Sequence, residues 1–280
     1  MITRPHPSRV AAPLLALLLG FGLVASACGG DDSSSSSTTA STSTTGAGPK
    51  VTGPVTVSAA ASLKETFTAI AAAFEEANPD AKVTLNFGSS GDLATQIQSG
   101  APADVAAFAA ESNMTTLDDA GLLDGGYEIF ATNELIIVTK PGNPEKIDGL
   151  AGLAAAADTG GTISLCAETA PCGKYANQVL TAAGVTIPAD RVTRGQDVRA
   201  TLAAVTEGDA AAAIVYVTDA EAASEEVDTI EIPEDQNAVA KYPIGVVAAT
   251  TNAAASTAFK EFVLGPEAQK ILAGAGFGAP

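Results

Sequence analysis

Residues 55–87 read VTVSAAASLKETFTAIAAAFEEANPDAKVTLNF, and the class of the fold follows from this stretch. Val55 to Ser58 is a short β-branched run that predicts a strand. From Leu63 to Ala77 the apolar residues Phe67, Ile70 and Phe74 fall on one face of a helix. Asn78-Pro79-Asp80 stops that helix, and Lys82 to Phe87 predicts a second strand. Outward from this unit the same alternation continues. A helix is expected over Asp92–Ser99, with strands at Asp104–Ala109, Leu135–Thr139 and Thr162–Leu165. Helices follow at Gly173–Ala183 and Arg199–Thr206, then strands at Ala212–Val217 and Ile244–Ala249. The chain closes with a helix at Thr257–Val263 and another starting near Pro266. Such alternation predicts an α/β protein with mostly parallel sheets and helices on both faces.

The segment before this domain reads differently. Arg4 and Arg9 precede an apolar run from Val10 to Val24, and Ala25-Ser26-Ala27-Cys28 follows. This is the pattern of a bacterial lipoprotein signal over residues 1–27, with Cys28 as the lipidated residue. An ordinary signal peptide or an uncleaved anchor are the alternatives, although the run is short for a membrane span. Residues 28–50, rich in Ser and Thr, cannot bury a core and read as a disordered tether between lipid and domain. Cleavage after residue 27 would leave 12 basic residues against 32 acidic ones, a net charge of −20. No basic patch exists to neutralise a phosphate backbone, so nucleic acid is not an expected partner.

With Cys28 lipidated, Cys166 and Cys172 remain in an exported, oxidising setting. A disulfide between them is expected, worth about 2 kcal/mol for so short a loop. A metal site is the rival reading, but two thiols lack further ligands nearby.

Ligands of open α/β sheets sit beyond the carboxyl ends of the strands, where helix starts offer free N–H groups and a positive dipole end. Four such turns stand out. In Ala59-Ala60-Ala61-Ser62-Leu63-Lys64-Glu65, the Ser62–Glu65 spacing also fits a capping box. Phe87-Gly88-Ser89-Ser90-Gly91-Asp92 supplies two hydroxyls among small residues. Cys166 to Gly173 opens the helix containing Tyr175, and Gln196-Asp197-Val198-Arg199 opens another. Each turn alone reads more readily as a plain cap than as a ligand site.

A resemblance takes the reading further. Val55-Thr-Val-Ser-Ala-Ala-Ala-Ser62-Leu63 resembles the start of the molybdate-binding proteins of ABC transporters. Phe87-Gly-Ser-Ser90, Leu93-Ala-Thr-Gln-Ile97 and Gly100-Ala-Pro-Ala-Asp104 are similar to that family's second segment. Asp197-Val198-Arg199, Ala203-Ala-Val205, Ala213-Ile-Val-Tyr216 with Asp219, and Tyr242-Pro243-Ile244 resemble later ones. The likeness runs over about residues 51 to 280. It implies a two-lobed, type II periplasmic-binding-protein-like fold, with lobe I at 51–132 and 241–280 and lobe II at 133–240. It further implies capture of molybdate or tungstate for an ABC permease, with no cofactor and no catalysis, by a protein expected to be a monomer. Carried over by position, the ligand contacts are Ser62 and Ser90 through side chain and backbone, the N–H groups of Cys172 and Val198, and the Tyr216 phenol. Cys172 stands where the family has a small residue, which leaves Gly173 as the alternative donor.

The chemistry agrees with that implication. A fully deprotonated tetrahedral dianion only accepts hydrogen bonds, whereas hydrogen phosphate needs an acceptor as well, so a pocket of donors separates them. Sulfate, another oxyanion or a small organic acid are the alternative cargoes. A Ser-His-Asp hydrolase is excluded for the mature chain, because the single histidine, His6, lies in the leader. A Ser-Lys hydrolase using Lys64 or Lys174 is the distant alternative; Glu65, however, stands where Ser-x-x-Lys would place its lysine. Arg199 reads as an ion-pair partner in preference to an anion contact, Asp104 as a brace for its turn, and Tyr216 as either core packing or a ligand donor.

Overall fold

The computed structural model describes residues 51–280, so the leader, Cys28 and the tether lie outside the described residues. Strand β1 (Gly53–Ala60) passes through a 3-10 turn (Ala61–Leu63) into α1 (Lys64–Ala77), then β2 (Ala81–Gly88). The expected face of α1 is the buried one: Phe67, Ile70 and Phe74 are sealed against the sheet and α8 (Ala253–Leu264). The helix ends at Asn78, whose backbone N–H and Nδ2 both donate to the Phe74 carbonyl, at 2.9 and 3.0 Å. Next come α2 (Ser90–Gln98), β3 (Val105–Ala107) and α3 (Glu111–Asp119). Both β2 and β3 run parallel to β1, as the alternation predicts. Asp104 braces its turn as expected, accepting Thr56 N–H at 2.7 Å and the Thr250 hydroxyl at 2.6 Å.

The strand expected at Leu135–Thr139 is only the end of β4, which runs over Leu123–Thr139. Its first part hides from a sequence reading because Gly125 and Gly126 look like a turn. Both take positive φ, at 75° and 78°, and they sit in a bulge where the ladder register shifts between Asp124 and Tyr127. The second half of the chain holds α4 (Leu150–Asp158), β5 (Ile163–Cys166), α5 (Pro171–Ala182), β6 (Val192–Gly195) and α6 (Val198–Thr206). Then follow β7 (Ala212–Tyr216), α7 (Val217–Ala222), β8 (Asp228–Glu231), β9 (Val239–Val247), α8 and α9 (Pro266–Gly274). Strands β6 and β8 are short and only partly buried, so they lack the apolar run that marks the others.

The expectation of mostly parallel sheets needs one correction. Among the described residues there is a single nine-stranded sheet flanked by helices, in the order β2-β1-β3-β9-β4-β7-β5-β6, with β8 on β4. Parallel pairs lie toward the ends of that order, while β9 pairs antiparallel with β3 and β4, and β4 with β7 and β8. Strand β4 joins the two halves: Leu123–Glu134 lies along β9, and Leu135–Thr139 along β7. Where β9 leaves off, the Asn237 side chain takes over, accepting Leu135 N–H at 3.2 Å and donating to its carbonyl at 2.8 Å. Both backbone groups of Leu135 are thereby paired where the ladder passes from one half to the other. Along this seam the core is aromatic, with Phe67, Phe130, Tyr242, Tyr216 and Phe277 in tilted or edge-to-face contact.

Candidate functional site

Strand-to-helix turns from both halves of the sheet meet around one cavity of about 210 Å³. Ser62, Ser90, Cys172, Val198 and Tyr216 all line it, so the structure brings together every residue assigned by resemblance. Their backbone N–H groups at Ser62, Ser90, Cys172 and Val198 lie in first turns, where a helix offers no internal acceptor. The lining includes no Arg or Lys. Its one carboxylate, Asp197, caps α6 by accepting Ala200 N–H at 2.9 Å.

Ser62 is not the cap that its spacing to Glu65 suggests. The helix proper begins two residues later, at Lys64, and Ser62 lies inside the 3-10 turn. Its Oγ is 2.9 Å from the Tyr242 hydroxyl. Glu65 turns instead to Arg199, whose Nη1 lies 2.7 and 2.9 Å from its two oxygens. That pair ties α1 to α6 across the two halves of the sheet, and Arg199 is absent from the cavity wall, in line with its reading as an ion-pair residue.

Ser90 is buried, and its Oγ accepts Ala109 N–H at 3.0 Å, which leaves its own hydrogen for the cavity. Tyr216 ends β7 with 1% of its surface exposed, and its hydroxyl has no hydrogen-bond partner among the described residues. Burial, reinforced by the neighbouring Tyr242 phenol, pushes its pKa well above the ordinary range and keeps it a donor. An unpaired buried hydroxyl on a cavity wall costs on the order of 1–3 kcal/mol unless something else pairs with it.

The third turn carries the expected disulfide, Cys166–Cys172, with Cα atoms 5.7 Å apart. Gly173 N–H is engaged by the Ala170 carbonyl at 3.1 Å. A side chain at Gly173 would collide with the Ala167 carbonyl, so glycine is required where the helix folds back on its own turn. Two further buried groups stand near Tyr216 and Tyr242: Asp219, which the resemblance names without a role, and Asn133, which the sequence reading misses. Asp219 sits one turn beyond Tyr216; burial raises its carboxyl to about 7, against the pull of Arg199 and the Tyr216 N–H. Asn133, on β4, donates to Thr218 Oγ1 at 2.8 Å and to the Tyr242 hydroxyl at 3.4 Å. No sequence signal marks Asn133, because β4 also carries Glu128, Thr132 and Glu134 around it. Lys64 and Lys174 are exposed and absent from the lining, so neither is placed to activate Ser62 or Ser90. Among the described residues no group of His, Cys, Asp or Glu is arranged to hold a metal ion.

Comparison with known proteins agrees with this architecture. Residues 55–278 match the bacterial extracellular solute-binding protein family. The molybdate-binding protein ModA of Mycobacterium tuberculosis is 35% identical over 226 residues, covering 81% of this chain and 85% of its own. ModA of Haemophilus influenzae is 33% identical over 231 residues, covering 80% and 90%. Among solved structures, the Azotobacter vinelandii periplasmic molybdate-binding protein superposes with a TM-score of 0.73 at 24% identity, over 81% of this chain and 99% of that one. The chain belongs to the bacterial extracellular solute-binding protein family.

Proposed function

We propose that this protein binds molybdate, and tungstate with it, outside the cytoplasm and delivers it to an ABC permease. The observation that carries this reading is the Tyr216 hydroxyl, buried without a partner on the wall of a small cavity that has helix-start N–H groups and three serines but no cation. Neutral dipoles fixed at helix starts hold an oxyanion without a formal positive charge. They also outweigh a distant net charge of −18, which salt screens beyond about 10 Å. The relatives named for molybdate support the choice of ion.

In this reading Ser62 and Ser90 contact the oxyanion through hydroxyl and backbone N–H, Cys172 and Val198 through backbone N–H, and Tyr216 through its phenol. Residues 51–132 and 241–280 act as one lobe and 133–240 as the other, closing on the ion about the β4–β9 crossings. Cys28 carries the lipid that holds the monomer at the outer face of the membrane.

Calorimetric titration of the folded domain with molybdate, tungstate, sulfate and phosphate tests the reading. One-to-one binding of the first two, much tighter than of the others, is expected. Preferential sulfate binding would reassign the cargo, and the absence of heat with molybdate and tungstate would remove it.

A further inference from the structure

Ser62 and the Tyr242 phenol form a hydrogen bond in which either oxygen can be the donor, and the direction decides what Ser62 shows the cavity. The surrounding groups remove the ambiguity. Asn133, 3% exposed, accepts Glu134 N–H through Oδ1 at 3.0 Å. A backbone N–H can only donate, so the amide orientation is settled and Nδ2 is the atom facing inward. One Nδ2 hydrogen goes to Thr218 Oγ1 at 2.8 Å and the other to Tyr242 Oη at 3.4 Å. Tyr242 is fully buried, and among the described residues its hydroxyl is hydrogen-bonded to Asn133 and Ser62, while the neighbouring Tyr216 hydroxyl lies outside hydrogen-bond geometry. An amide nitrogen cannot accept, so the single phenolic proton points at Ser62 Oγ. Ser62 accepts it, and the serine's own hydrogen is left for the cavity that Ser62 lines. At Ser90 the Ala109 N–H achieves the same result in one step.

We propose that Tyr242 and Asn133 are positioning residues for ligand selectivity: a relay from Glu134 N–H through Asn133 and Tyr242 turns the Ser62 hydroxyl so that it presents a hydrogen to the bound anion. The relay rests on Ser62 as a ligand contact. It bears on which anions are chosen. A wall that presents hydrogens favours an anion carrying none and leaves the proton of hydrogen phosphate without an acceptor. Reversed, the relay would show the ligand only lone pairs of Ser62. Burial keeps the Tyr242 phenol protonated, so the relay does not titrate away under ordinary conditions.

The test is a double-mutant cycle on the ratio of molybdate to inorganic phosphate affinity, at mildly alkaline pH where both ions are dianions. Equal ligand charge cancels electrostatic side effects from the ratio. Tyr242→Phe keeps the ring against Phe130 and Phe277 and deletes the relay. It is expected to lower the ratio about tenfold with Ser62 present, the size of one lost discriminating hydrogen bond, and not at all in the Ser62→Ala background. Asn133→Asp draws the phenolic proton away from Ser62, and the same Ser62-dependent fall is expected, larger than for Tyr242→Phe. Should either variant fail to fold, by circular dichroism and melting, the other carries the cycle. An equal change in both backgrounds would mean altered packing, and no change in either would mean no relay; each overturns the proposal. If the unsubstituted protein binds no molybdate, the functional reading fails and the relay with it; if it binds while the ratio stays constant, only the relay fails.

Discussion

Tyr216→Phe should move stability and affinity in opposite directions. The substitution deletes one oxygen and keeps the ring, which stays 6.0 Å from that of Tyr242. In the ligand-free protein that oxygen is buried and unpartnered, so its removal relieves a desolvation penalty of about 1–3 kcal/mol. For a chain of this size each kcal/mol corresponds to roughly 2–4 °C, and the ligand-free protein should melt several degrees higher. With molybdate bound, the same oxygen donates to a dianion, a bond worth about 1.5–3 kcal/mol. Its loss should weaken Kd by roughly tenfold to a hundredfold. Differential scanning calorimetry of the free protein and isothermal titration with molybdate give the two numbers. An unchanged Kd would refute Tyr216 as a donor to the ligand. A lower ligand-free melting temperature would show that the hydroxyl has a protein partner and that the reasoning fails at its first step.

Gly91 of α2 approaches the Thr169 carbonyl of the opposite half so closely that a Cβ would lie 2.7 Å from that oxygen. Gly91→Ala should therefore hold the cavity slightly open and weaken molybdate binding about tenfold, while helix propensity improves the free protein by up to about 1 kcal/mol; unchanged affinity would count against closure at this contact. Asp219 has a folded-state pKa near 7 against an ordinary 3.8, so the folded protein keeps a proton that the unfolded chain has released. Its contribution is complete below about pH 4 and lost as pH rises to about 7, so the advantage of Asp219→Asn in urea midpoints should grow across that window and then level off; a constant difference would contradict the raised pKa. Replacing Cys166 and Cys172 together by Ser should cost about 2 kcal/mol in denaturant unfolding and weaken molybdate binding by loosening the third turn.

Much of the architecture was open to a sequence reading because it depends on short-range spacing. Phe67, Ile70 and Phe74 define one face whatever they pack against, and Asn78-Pro79 stops a helix in any context. The turns that line the cavity were visible as small and hydroxyl-bearing residues between a strand and a helix, although the choice of Tyr216, Cys172 and Val198 among them came from resemblance. The Gly125–Gly126 bulge broke the pattern, since a strand that continues through two positive-φ glycines does so only because β9 supplies its partners.

Local order in the chain determined the α/β class, the positions of most elements and the set of helix starts that could meet an anion. Tertiary structure alone decided what the side chains at those starts do. Ser62 lies 180 positions from Tyr242, Asn133 85 from Thr218, and Glu65 134 from Arg199. Propensity and periodicity act over a few residues, whereas the direction of a buried hydrogen bond depends on every donor and acceptor that the fold brings within reach. A serine with a glutamate three places on reads as a cap along the chain; in the folded protein its partner is a phenol from the far end of the sequence.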